Sequence, residues 1–112
     1  MADDFLGSFE QLVLLALMRL KDNAYGMTVR RELEERTGRT VSLGAVYATL
    51  DRMEQKGYVK SREGSSTVER EGRAKRFFRV DSSGLAALKR SFAAIDSMRA
   101  GLGVFKRAGE SG

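Results

Sequence analysis

A mainly helical α+β chain is predicted: three helices, a two-stranded hairpin and a long fourth helix. Three observations predict it. Across residues 42–80 the apolar pattern is first helical, at Leu43, Val46, Leu50 and Met53, and then strand-like on either side of a polar loop, with Gly57 at the change. The net charge of +5 sits in the same stretch. From Arg52 to Arg79 the chain carries nine of its twenty Lys/Arg and four of its fifteen Asp/Glu, and the eleven of each sign elsewhere cancel. Proline is absent, so no helix has to break for it.

The elements follow in order. Ser8-Phe9-Glu10-Gln11 fits a capping box, opening a helix that runs to about Leu20. Its apolar residues (Phe9, Leu12 to Met18, and Leu20) cover nearly its whole circumference. A helix apolar all round has to be buried all round, and a second chain is the simplest cover. Lys21-Asp22-Asn23 is a turn. A second helix runs from about Gly26 to Arg36, with Met27, Val29 and Leu33 inward and Gly38 at the left-handed C-terminal position. Ser42 caps the third helix and Gly57 ends it. Tyr58 to Arg62 is a strand, Gly64 to Ala74 a loop and Lys75 to Val80 a strand, in which Phe78 and Val80 point inward and Lys75, Phe77 and Arg79 outward. Asp81, Ser82 or Ser83 starts the fourth helix. Its apolar positions Leu85, Leu88, Phe92, Ile95, Met98, Leu102 and Phe105 make nearly a heptad seam, carried past Gly101 and Gly103. The expected division is 1–82 for the helix-and-hairpin unit (hairpin about 58–80), 83–106 for the last helix and 107–112 for a frayed tail.

Composition removes whole classes of chemistry. With neither cysteine nor histidine there is no disulfide framework, no thiolate nucleophile, no Ser-His-Asp triad and no zinc site built from those ligands. No catalysis, cofactor or metal is expected. The cluster Glu32, Glu34 and Glu35 has no pattern for acid–base work and reads as a solvated helix face. The longest apolar run, Leu12 to Met18, is too short to span a bilayer, and Met1-Ala2-Asp3-Asp4 lacks a secretory signal's basic start. No membrane partner and a cytoplasmic location are the expectation.

The order helix, helix, helix, strand, loop, strand, helix is that of a winged helix-turn-helix, in which the second of two crossed helices enters the DNA major groove and the hairpin reaches the flanking backbone or minor groove. A neutral body with a basic helix end and hairpin is the electrostatic footprint of a duplex-binding surface. On the third helix Gly44, Ala45, Ala48, Thr49, Arg52 and Lys56 are expected outward, small enough at its start to approach base edges. The plainer alternative is a surface helix of good propensity. Gly72 to Arg79 has four cations and no acid, suited to phosphates or to guarding a solvated edge strand; Glu69 and Glu71 adjoin it. Tyr47 is either a structural tyrosine at the rim or a phosphate contact. Gly26 either admits a phosphate to free backbone N–H groups or is an ordinary cap residue.

With these residues in view, the chain resembles the PadR family of bacterial transcriptional regulators. The resemblance rests on Leu15-Ala16-Leu17, Tyr25-Gly26, Ser42 through Glu54, Gly57-Tyr58-Val59, Gly72 through Val80 and Gly84, and covers about residues 8 to 100. It implies a homodimer that represses transcription at an inverted repeat in double-stranded DNA, of the short type with one C-terminal helix. DNA contacts are then expected at Tyr25, Gly26, Ser42, Gly44, Ala45, Tyr47, Ala48, Thr49, Arg52, Arg73, Lys75 and Arg76. In the family the last helix packs on the partner's first helix, which places dimer contacts at Phe9, Leu12, Leu85, Leu88, Phe92, Ile95, Met98 and Leu102. Asp81 stands where the family usually has threonine. Some relatives stack planar ligands on a tryptophan of the last helix, and this chain has no tryptophan. Phe92, Ile95 and Met98 suit either an apolar cleft or a dimer seam, and an inducer of unknown identity is left open. Two other functions fit the charge: a DNA architectural protein without sequence preference, and a winged-helix adaptor for another protein.

Overall fold

The computed structural model describes residues 5–68 and 74–105, without the side chains of 65–68 and 74. Helix α1 spans Ser8–Leu20, α2 Gly26–Thr37 and α3 Leu43–Gln55; strands β1 (Val59–Val68) and β2 (Ala74–Val80) form an antiparallel hairpin; α4 spans Ser82–Arg99. The three N-terminal helices, the base of the hairpin and the first half of α4 share one core, in which Val13, Leu14, Val29, Val46, Leu50, Met53 and Val59 are fully buried.

Local chemistry sets each boundary. The N-cap of α1 is Gly7 and not the expected Ser8: the Glu10 carboxylate accepts the Gly7 N–H at 2.9 Å, the returning half of a capping box shifted by one residue. Helix α2 ends at Gly38, φ +72°, and α3 gives way at Gly57, φ +85°. Ser42 caps α3 by accepting the Ala45 N–H at 3.0 Å. Asp81 caps α4 by accepting from Ser83 N at 3.0 Å.

Several expectations give way. Met27 is exposed and Thr28 is buried in its place, because the Thr28 hydroxyl donates to Asn23 O at 2.6 Å and accepts from Tyr25 N at 3.0 Å. Strand β1 runs on to Val68 through what reads as loop, since a two-stranded ribbon continues on backbone pairing after its side chains leave the core; the register shifts between Glu63 and Val68. Helix α4 stops at Arg99. Gly101 takes φ +84° and a short 3₁₀ turn, Gly103–Phe105, follows, so Leu102 and Phe105 lie beyond the helix and the seam ends at Met98. Leu88 is buried in the chain's own core and cannot serve as a bare dimer contact. Glu69, Glu71 and Arg73, expected in the loop, and residues 107–112, expected as a frayed tail, lie outside the described residues.

Candidate nucleic-acid interface

Helix α3 has two unlike sides. Val46, Thr49, Leu50 and Met53 are buried, while Gly44, Ala45, Ala48 and Arg52 are exposed and Leu43 is half-buried. Thr49 is therefore not on the outward side, where the sequence reading put it. It shares the stripe of Val46 and Met53, three residues after one and four before the other, and is 3% exposed. The exposed side is nearly free of bulk, as close approach to base edges requires. Tyr47 leans off this side onto the start of α2. A Cβ at Gly26 would lie 2.3 Å from the Tyr47 hydroxyl oxygen. The small size of Gly26 thus serves the tyrosine ring, which covers it; Gly26 is buried rather than open to a phosphate.

The hairpin is fastened on one side to the turn before α2 and on the other to α3. The Phe78 N–H donates to Ala24 O at 2.9 Å, and Tyr25 makes an isolated antiparallel bridge with Phe77. The Tyr25 and Phe77 rings meet edge to face at 5.4 Å. The Lys75 Nζ stands 4.4 Å over the Tyr25 ring and the Arg62 guanidinium 4.9 Å over Phe77. On the opposite side of β2, Arg76 turns inward. Its Nε donates to Ser61 Oγ at 3.2 Å, its Nη1 to Asp51 Oδ1 at 3.4 Å and its Nη2 to Glu54 Oε1.

Strand alternation and register sort the charges. Lys60 pairs with Arg79 and Arg62 with Phe77, so Lys60, Arg62, Lys75 and Arg79 share one side of the hairpin without an acid among them. Lys60 and Arg62 carry no such signal in the sequence; Arg79 is expected outward beside Lys75, and the register adds the other two to its side. The alternation was legible, but which cations share a side follows only from the register. The structure brings together Tyr25, Gly26 and Tyr47, and joins Lys75 to Tyr25. It holds Arg76 against α3, away from that cationic side.

Arg52 borders α3's exposed side and is held by α1: its Nε donates to Glu10 Oε2 at 3.1 Å, and Lys56 Nζ lies 3.9 Å from the same oxygen. Burial pushes the Glu10 carboxyl up. The Gly7 N–H and Arg52 bonds, with the charges of Lys56 and Arg52, outweigh it and hold Glu10 below its ordinary value. Among the described residues no cluster of carboxylates could hold a metal, and no helix is long and apolar enough to cross a membrane.

The remaining expected contacts are apolar. Phe92, Ile95, Met98 and Leu102 are exposed, Met98 at 78%; Leu85, Phe9 and Leu12 are half-buried. Phe9 and Leu12 border a hollow of ≈ 480 Å³ that Leu33, Val41 and Ala45 also line.

Comparison with known proteins gives these features a setting. The model of the transcriptional regulator PadR-like family matches residues 14–90. Among solved structures, a PadR-like transcription factor from Bacteroides fragilis is similar at 18% identity, with 88% of this chain and 89% of that one covered and a TM-score of 0.71. A PadR family transcription regulator from Clostridium difficile R20291 is similar at 23% identity, 83% and 95% coverage and a TM-score of 0.62. RosR of H. salinarum is similar at 26% identity, 86% and 79% coverage and a TM-score of 0.64. No curated protein matches.

Proposed function

The chain belongs to the PadR-like family of transcriptional regulators, and on that premise we propose that it is a homodimeric repressor reading an inverted-repeat operator. The observation that carries this reading is that one chain presents both a small, exposed side on α3 and an all-cationic side on the hairpin. Residues 1–82 supply the DNA-binding unit. Gly44, Ala45 and Ala48 approach base edges, with Ser42, Tyr47 and Arg52 at the rim. Lys75, with Lys60, Arg62 and Arg79 beside it, and Arg73, take phosphates.

Dimerisation rests on two apolar surfaces of one chain. The second half of α4 and the segment after it expose Ile95, Met98 and Leu102, and α1 leaves Phe9, Leu12 and Leu15 only half covered. Packing the partner's α4 on α1 buries both. Two-fold symmetry then sets the half-sites about 10 base pairs apart centre to centre, or a multiple of that.

Selection of genomic fragments by the purified protein tests the reading, followed by affinity for the selected duplex and for random DNA across salt concentrations. The expected result is a palindromic consensus bound about a thousandfold more tightly than random sequence. Equal affinity for both favours an architectural protein. Weak, salt-insensitive binding favours an adaptor and removes the proposal.

A further inference from the structure

The inner side of the hairpin carries an arrangement that DNA contact alone does not account for. Every nitrogen of the Arg76 guanidinium has a partner in its own chain: Ser61 on β1, and Asp51 and Glu54 one turn apart on α3. The Ser61 hydroxyl donates in turn to Glu54 Oε2 at 2.6 Å, and the guanidinium lies 5.0 Å over the Phe78 ring. Glu63 stands opposite Arg76 in the strand register. A planar fork bonded on all three nitrogens is poorly placed to grip a phosphate as well. Asp51, meanwhile, is exposed and three residues after the exposed Ala48, at the edge of the side that faces a groove. Left bare, Asp51 and Glu54 would repel the DNA backbone.

We propose that Arg76 is a positioning residue: it braces the hairpin against α3 and neutralises Asp51 and Glu54 beside the DNA-facing surface, without holding a phosphate itself. The inference rests on the DNA-binding reading above. It separates Arg76 from Lys75, its neighbour in sequence, which turns to the opposite side of the strand.

The test combines Arg76→Ala with the charge-removing pair Asp51→Asn and Glu54→Gln, read by affinity for the selected duplex and by thermal melting without DNA. Arg76→Ala alone should weaken binding about tenfold, a coupling of ordinary size for bonded groups. In the Asp51→Asn/Glu54→Gln background the same change should cost less than about twofold. Melting temperatures should show the same non-additivity. Arg76→Lys should lose most of the effect, because one ammonium cannot reach three acceptors on two elements. A phosphate ligand behaves in the opposite way: lysine substitutes well, and the loss is as large without the two carboxylates as with them. Either result overturns the proposal. Should Arg76→Ala fail to fold, Arg76→Lys in both backgrounds carries the same comparison. A wild-type chain that binds neither the selected nor random duplex overturns the DNA-binding reading, and this inference with it; loss of coupling in a chain that binds overturns only the role of Arg76.

Discussion

Helices α3 and α4 are built alike on their inner sides and differ on their outer ones. Each buries a stripe of four residues: Val46, Thr49, Leu50 and Met53 on α3, and Gly84, Ala87, Leu88 and Ser91 on α4. The outer side of α3 is the short side chains of Gly44, Ala45 and Ala48, edged by Tyr47, Asp51 and Arg52. The outer side of α4, in its second half, is Phe92, Ile95 and Met98. Burial inward says only that both helices belong to the fold. What each leaves outside says what it meets: small residues let a rigid polar groove come near, whereas large apolar ones are stable only against another apolar surface.

The contrast can be broken most directly at Ile95. Ile95→Asp should convert the dimer to monomer at micromolar concentration in sedimentation, because an aspartate in the seam either stays charged and unpaired or keeps the partner away. Ala48→Asp, the matching change on α3, should leave the dimer intact and abolish DNA binding. If one substitution disturbs both properties, the division of labour between the helices is wrong.

The inner stripes can be tested separately. A Cβ at Gly84 would lie 2.3 Å from the Tyr58 carbonyl oxygen, a backbone atom that cannot swing aside. Gly84→Ala should therefore destabilise by roughly 1–3 kcal/mol in chemical denaturation, as overpacking does. Ala45→Leu on the outer side of α3 should leave that stability unchanged. It should weaken the specific duplex about tenfold and random DNA less, since phosphate contacts tolerate a looser pose. Lys60→Ala is smaller again. It should reduce affinity for all sequences alike and lower the salt slope by about one unit, the signature of one phosphate contact.

The smallest effect is acid sensitivity at the α1–α3 junction. The Glu10 carboxyl is held below its ordinary value in the fold, so its contribution to stability is complete above the usual glutamate range, near pH ~4.3. It is lost as pH falls through the lowered value. Glu10→Gln should flatten the acid limb of a melting-temperature profile and leave the neutral limb nearly parallel to wild type.

Much of this was legible in the chain itself. Ser42, Gly38 and Gly57 punctuate the helices as their chemistry demands, and the family pattern sits on the same residues. Thr49 is expected outward with its small neighbours, although its spacing to Val46 and Met53 places it in their buried stripe. Arg76 and Lys75 look equivalent in a run of cations. Only the inward turn of alternate strand residues, with Asp51 and Glu54 waiting on α3, tells them apart. The apolar spacing continues through Leu102, but the backbone leaves the helix at Ala100, ψ 132°, and turns at Gly101, φ +84°. The length of β1 had no signal in the sequence, since Gly64 to Thr67 offer no apolar face to announce a strand.

The bond from the Phe78 amide to Ala24 joins segments far apart in the chain. With the Tyr25–Phe77 bridge, it pins the turn before α2 to the free edge of β2. A hairpin alone in water is marginal, and here its inner edge forms only once the helices have brought Ala24 into place. Hairpin and helix pair then form and melt as one cooperative unit. The Phe78 amide belongs with the slowest hydrogen exchange in the chain, opened by global unfolding, and the topology sets a slower folding rate than a bundle of the same helices would have.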